Sequence, residues 1–109
     1  MSIEVDRTGL ITSNGVYLGS IDAGGSVFSV SQEFVGTIRD DGTVFSAKKG
    51  DIGNVDRDGN VFSEKKGYIG QLRKDGTIVS LDGYGGTFKG DPQKVGGILL
   101  LLFGGLRTK

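Results

Sequence analysis

Phe34-Val35-Gly36-Thr37-Ile38-Arg39-Asp40-Asp41-Gly42-Thr43-Val44-Phe45-Ser46-Ala47-Lys48-Lys49-Gly50 decides the fold, because the chain repeats it. Gly19, Gly36, Gly53 and Gly70 stand 17 residues apart, as do Gly25, Gly42, Gly59 and Gly76, and Ser29, Ser46, Ser63 and Ser80. A partial copy precedes them from Ile3 to Ser13, with Val5, Gly9 and Ile11 in the corresponding places. A half-copy follows at Tyr84-Gly85-Gly86-Thr87-Phe88-Lys89. Self-similarity at a fixed period marks a repeat architecture.

Each unit reads as two short strands. Asp41-Gly42, Asp58-Gly59 and Asp75-Gly76 are hairpin signals, since glycine accepts the positive φ that a tight turn requires. Their flanks are rich in Val, Ile, Phe, Tyr and Thr, which suit a pleated, half-buried surface. A second turn at Lys48-Lys49-Gly50 and Lys65-Lys66-Gly67 leads into the next unit, so successive strands are antiparallel neighbours: five hairpins and a terminal strand. Two geometries suit the Asp-Gly turn. A two-residue turn sets Ile38 opposite Phe45, whereas a three-residue turn with a glycine bulge pairs Ile38 with Val44. Either way an aliphatic or aromatic layer lies on each side of the sheet.

Strands of about six residues make a sheet roughly 20 Å tall, and an open array of them would expose edges that template aggregation. The expected fold is therefore all-β: a shallow, closed, quasi-symmetric antiparallel barrel over residues 1–90. A β-solenoid with one unit per coil is the alternative, opposed by the hairpin signals. Eleven strands cannot close with every pair antiparallel, so either an end strand frays or the seam is parallel.

The unit, with its aliphatic–Gly spacing and Val-Phe-Ser ending, resembles that of the β-flower proteins, a small bacterial group of shallow symmetric barrels made of hairpin petals. The resemblance covers about residues 3–90 and implies a barrel followed by an apolar C-terminal tail. That group is similar in shape to tubby-like C-terminal domains, which bind phospholipid headgroups or sit against membranes. This second link is one of shape.

Composition narrows the chemistry. Lys plus Arg equal Asp plus Glu at 13 each, so no global field draws the chain to nucleic acid, and its aromatics are expected to serve the packing of the repeat itself. Charge is graded along the chain, about −3 over residues 1–33, about zero over 34–67 and about +3 over 68–109. With no His and no Cys, the commonest general base and metal ligand are missing, and disulfides are excluded. Asp56-Arg57-Asp58-Gly59-Asn60 with Glu64 lacks the spacing of a calcium loop, whose glycine is sixth and glutamate twelfth. The carboxylates of Asp40, Asp41 and Asp58 are expected at solvated turn tips, near their ordinary pKa, and the serine column reads as packing or cross-strand hydrogen bonding. Gly24-Gly25 and Gly85-Gly86 lack the following Lys-Ser/Thr of a phosphate loop. No catalytic residue, metal or cofactor is expected.

Two features fall outside the folding unit. Lys48, Lys49, Lys65 and Lys66 occupy equivalent turns and should gather on one rim, where they either face anionic lipid or are simply solvated. Residues 91–109 form the tail, with an apolar run of 12 from Val95 to Leu106 that contains Ile98, Leu99, Leu100, Leu101, Leu102 and Phe103. As a helix that run is about 18 Å long, short of the roughly 30 Å needed to span a bilayer. Three placements remain: a barrel plug, a membrane contact or an oligomer contact. A threaded plug would return Arg107 and Lys109 to the lysine rim. The N-terminus has no basic, apolar leader, so a cytoplasmic location is expected, peripheral at the cytoplasmic face of a membrane if lipid is the partner. The functional expectation is a non-enzymatic barrel that meets membrane lipid or an apolar ligand through its tail and lysine rim. A self-assembling protein whose tail drives homo-oligomers is the alternative, and an enzyme the weakest one.

Overall fold

The computed structural model describes residues 2–81 and 83–103, and among these it holds eleven strands and one helix. The strands are β1 (Ser2–Val5), β2 (Leu10–Ser13), β3 (Val16–Ile21), β4 (Ser26–Ser29), β5 (Phe34–Ile38), β6 (Thr43–Ser46), β7 (Gly50–Val55), β8 (Asn60–Ser63), β9 (Gly67–Leu72), β10 (Thr77–Ser80) and β11 (Gly83–Lys89). The helix, α1, spans Pro92–Phe103. The strands pair in chain order into a closed barrel. Odd strand number forces one parallel seam, and it falls between β1 and β11, with Ser2, Ile3 and Glu4 opposite Thr87, Phe88 and Lys89. All other pairs are antiparallel.

The Asp-Gly turn takes the three-residue form. Gly42 N–H donates to the Arg39 carbonyl and Arg39 N–H to the Thr43 carbonyl, both at 2.9 Å, with Gly42 at φ 90°. Ile38 therefore faces Val44, and Thr37 faces Phe45. Ile38 and Val44 point inward and are buried, as are their equivalents Ile21, Val27, Val55, Val61, Leu72 and Ile78. The phenylalanines of the Val-Phe-Ser segment point outward and are half-buried. Phe28 packs edge-on to Phe34 (6.0 Å between centroids) and Phe62 against Tyr68 (5.7 Å). In the third unit Asp51 replaces the partner ring opposite Phe45. There Arg39, which opens the Asp-Gly turn, lies back along the outer wall. Its guanidinium covers Phe45 at 5.5 Å and reaches Asp51 at 3.2 Å.

A β-bulge recurs where β3, β5, β7, β9 and β11 leave the other turn of each unit, as in the step from Val44↔Gly53 to Phe45↔Asp51. The bulge adds one residue to the strand and turns it toward the core. Leu18, Val35, Ile52 and Ile69 occupy this place and pack against the core cluster.

Barrels of about eight strands fill their interior with side chains alone, but eleven enclose a wider space. Here α1 fills it. Asp91 caps the helix, its Oδ2 accepting from Lys94 N–H (3.2 Å), and Pro92 takes the first helical position, where no N–H is needed. The helix enters at the Asp-Gly rim, where Gln93 Nε2 donates to the Val55 carbonyl at 2.9 Å. Gly96 lies against Val55 and Val61, and Gly97 against Ile38, close enough that a Cβ on Gly97 would stand 2.6 Å from the isoleucine side chain. Higher up, Leu100 reaches Gly53 and Leu101 reaches Gly36. Val95, Ile98, Leu99 and Leu100 are buried in the core cluster.

Candidate functional site

The lysine turns and the end of α1 converge on one mouth. Strands β4 to β9 end there, and the helix surfaces with Leu101, Leu102 and Phe103 half-buried. Between them lies a concavity of ≈ 990 Å³. Its floor is apolar, with Val35 and Ile52 facing Leu100 to Phe103, and Lys48, Lys49 and Lys65 stand at its edge. Lys66 is exposed on the same turn as Lys65. Glu33, Asp51 and Glu64 interleave with the lysines, and Asp51 is already engaged by Arg39. Of the apolar stretch expected to act as plug, membrane contact or oligomer contact, Ile98, Leu99 and Leu100 are inside the barrel and Leu101, Leu102 and Phe103 reach its mouth. The expected return of Arg107 and Lys109 to the lysines lies outside the described residues, as does the stretch Gly104 to Leu106. Among the described residues no helix is long and apolar enough to cross a membrane.

Two members of the serine column, Ser46 and Ser63, hold the lysine turns. Ser46 Oγ accepts from the N–H groups of Lys48 (3.3 Å) and Lys49 (3.2 Å), and Ser63 Oγ does the same for Lys65 and Lys66. Hydroxyl-capped turns of this kind fix the backbone locally and leave the lysine side chains free to project.

At the opposite rim the aspartates close their own turns, in two ways. Asp6, Asp22 and Asp56 open the turn and accept from N–H groups two and four residues on. Where arginine opens it, Asp41 and Asp75 accept instead from Thr43 and Thr77 N–H, at 2.9 and 3.0 Å. These bonds favour the ionised form, which corrects the expectation of an ordinary pKa for Asp41. Asp6 is lowered chiefly by the Thr8 hydroxyl, Asp41 by the Thr43 backbone and hydroxyl, and Asp75 by the Thr77 hydroxyl and backbone. For Asp56, partial desolvation raises the pKa, but hydrogen bonds from the Asn60 side chain and from backbone N–H groups outweigh it.

A folded-state pKa below the unfolded value means stability that is present above that unfolded value and lost as pH falls through the folded one. The urea midpoint is therefore expected to hold from neutral pH down to about 4 and to decline below it. A D41N/D75N variant, which keeps the acceptor oxygens but cannot titrate there, should show a shallower decline. An unchanged slope would contradict the assignment. Asp56 also uses its second carboxylate oxygen, which accepts from Asn60 Nδ2 (3.0 Å), so both of its oxygens serve the turn.

In the sequence, Asp91-Pro92 carries a signal for a helix at the start of the tail that the reading of the repeat passed over, and Gly96-Gly97 leaves room for close packing. No family model, curated protein or solved structure matches this chain.

Proposed function

We propose that the protein is a non-enzymatic lipid-binding barrel that attaches peripherally to anionic membranes at its lysine mouth. The observation that carries this reading is the convergence of Lys48, Lys49, Lys65 and Lys66 with the apolar end of α1 at one opening. Lysines near an anionic bilayer contribute about 1 kcal/mol each, and the half-buried end of α1 supplies apolar surface between them. At the opposite rim Arg57, Arg73 and Lys74 stand beside ionised aspartates of the same turns, and the helix enters there with polar Gln93 rather than with its apolar end. The hairpin unit also supports placing the chain beside the β-flower group.

Flotation with phosphatidylglycerol vesicles tests the reading. Binding should be strong at low salt, weak to phosphatidylcholine vesicles, and should fall as salt shortens the screening length from about 10 Å at 0.1 M to about 3 Å at 1 M. The charge-reversed variant K48E/K49E/K65E/K66E, with its barrel intact by circular dichroism, should stay with the unbound fraction. Equal binding of both proteins, or equal binding to both vesicles, refutes it.

A further inference from the structure

The lysines occupy only part of their rim. Going round the barrel, its five turns follow the order of the strands, and the β1–β11 seam brings the β10–β11 turn next to the β2–β3 turn. The β6–β7 and β8–β9 turns carry Lys48, Lys49, Lys65 and Lys66. The other three carry large aliphatic side chains at or beside their tips: Leu81 at 68% exposure, Val16 at 62% and Val30 at 57%. With strands about 4.8 Å apart, Val16 stands roughly 10 to 15 Å along the rim from Val30 on one side and from Leu81 on the other. Below two of them, on the outer wall, lie aromatic rings: Tyr17, half-buried, follows Val16, and Phe34, 46% exposed, follows Val30.

Turn geometry does not require these residues. Between β2 and β3 the positive φ values fall on Asn14 (51°) and Gly15 (83°), a two-residue hairpin in which Val16 is free to be polar. Between β4 and β5 the left-handed residue is Gln32 (φ 71°), and Ser29 supplies the local hydrogen bonds, so Val30 has no turn role either. Exposed aliphatic side chains on three neighbouring turns, on the same rim as a basic arc and underlain by Tyr and Phe, match the layering of a bilayer surface: acyl chains, then the interfacial region, then anionic headgroups.

We propose that this arc of Val16, Val30 and Leu81 is a hydrophobic insertion edge, immersed in the acyl region of an anionic bilayer while the lysine arc stays at the headgroups. The inference rests on the lipid reading above and adds the side of the rim that enters the membrane. It makes the attachment two-part: a salt-sensitive share on the lysines and a salt-resistant share on the aliphatic tips. The barrel then meets the surface with its axis tilted toward the seam.

The sequence contains no tryptophan, so one introduced indole reports its own site. V30W and L81W, mixed with phosphatidylglycerol vesicles whose acyl chains are brominated, should shift their emission to the blue and be quenched. D40W, on the opposite rim, should do neither. The triple variant V16S/V30S/L81S, which adds no charge, should bind about tenfold or more weakly in about 0.5 M salt, where screening suppresses the lysine share, and keep low-salt binding. Flotation of V30W and L81W without quenching overturns the insertion edge and leaves the lipid reading standing. Failure of every variant and of the parent chain to float overturns both. A parent chain that light scattering shows to be oligomeric, with V16S/V30S/L81S monomeric and undiminished on vesicles in high salt, assigns the arc to a second copy and also overturns the insertion edge.

Discussion

A chain ending at Gly90 is expected to lose its cooperative unfolding transition. The strands remain, but Val95, Ile98, Leu99 and Leu100 leave the core with the helix, and all four are buried. Burying such a side chain contributes about 1.5–3 kcal/mol, so the four together contribute on the order of 6–12 kcal/mol. That is comparable with the whole stability of a domain, about 5–15 kcal/mol. The vacated interior of an eleven-strand barrel is also too wide to collapse onto its own valines and isoleucines. Thermal unfolding followed by near-ultraviolet circular dichroism on Tyr17 and Tyr68 would read the loss. A truncated chain that melts sharply near the parent temperature would show that the barrel stands without α1, and would make the helix a detachable segment.

The second large effect is expected from one methyl group. In Gly42→Ala the new Cβ would lie 2.0 Å from the Val55 carbonyl oxygen, and the residue would be held at φ 90°. The carbonyl has little room to retreat, because Val55 N–H donates to the Gly42 carbonyl at 2.8 Å and the two strands are locked at that spacing. Backbone against backbone cannot be relieved by a rotamer, so a loss of about 4 kcal/mol or more is expected. Gly50→Ala provides the control. Its φ is 79°, yet nothing lies within 4 Å of its Cβ position. Only the left-handed strain then remains, about 1–2 kcal/mol. Urea unfolding of the two variants should separate them clearly. Equal losses would mean that φ alone, and not the close approach of neighbouring units, keeps glycine at Gly42.

That pair of glycines also shows how far local reading reaches. Both sit in turns and both have positive φ, which the sequence indicates through Asp41-Gly42 and Lys49-Gly50. Their difference depends on the next unit's carbonyl, which no local pattern contains. The same division holds for the valines and phenylalanines. Alternation in Val44-Phe45-Ser46 makes Val and Phe face opposite ways, but the register Ile38↔Val44, set by the three-residue turn, decides that Val44 is the inward one. Leu18, Val35, Ile52 and Ile69 were legible only as aliphatic neighbours of glycine. Their inward turn comes from the recurring bulge, a property of two strands together.

At the mouth, the equivalence of Lys48, Lys49, Lys65 and Lys66 was legible because a repeat places equal positions on equal turns. The aliphatic arc was not, because Val16, Val30 and Leu81 occupy turns of different length and chemistry and share no repeat column. Leu81 joins the other two only through barrel closure. The tail divides likewise: its hydrophobicity and the approximate 18 Å length are in the sequence, along with three placements for it.

The sequence by itself therefore determined the hairpin unit, the number of strands and the need for an irregular closure, since these follow from periodicity, turn chemistry and parity. The tertiary structure alone decided where the tail goes and which side chains meet at the rim. A helix of that length enters the barrel because eleven strands leave a space that their own aliphatic side chains do not fill. Gly96 and Gly97 are small enough to let it pass Val55, Val61 and Ile38.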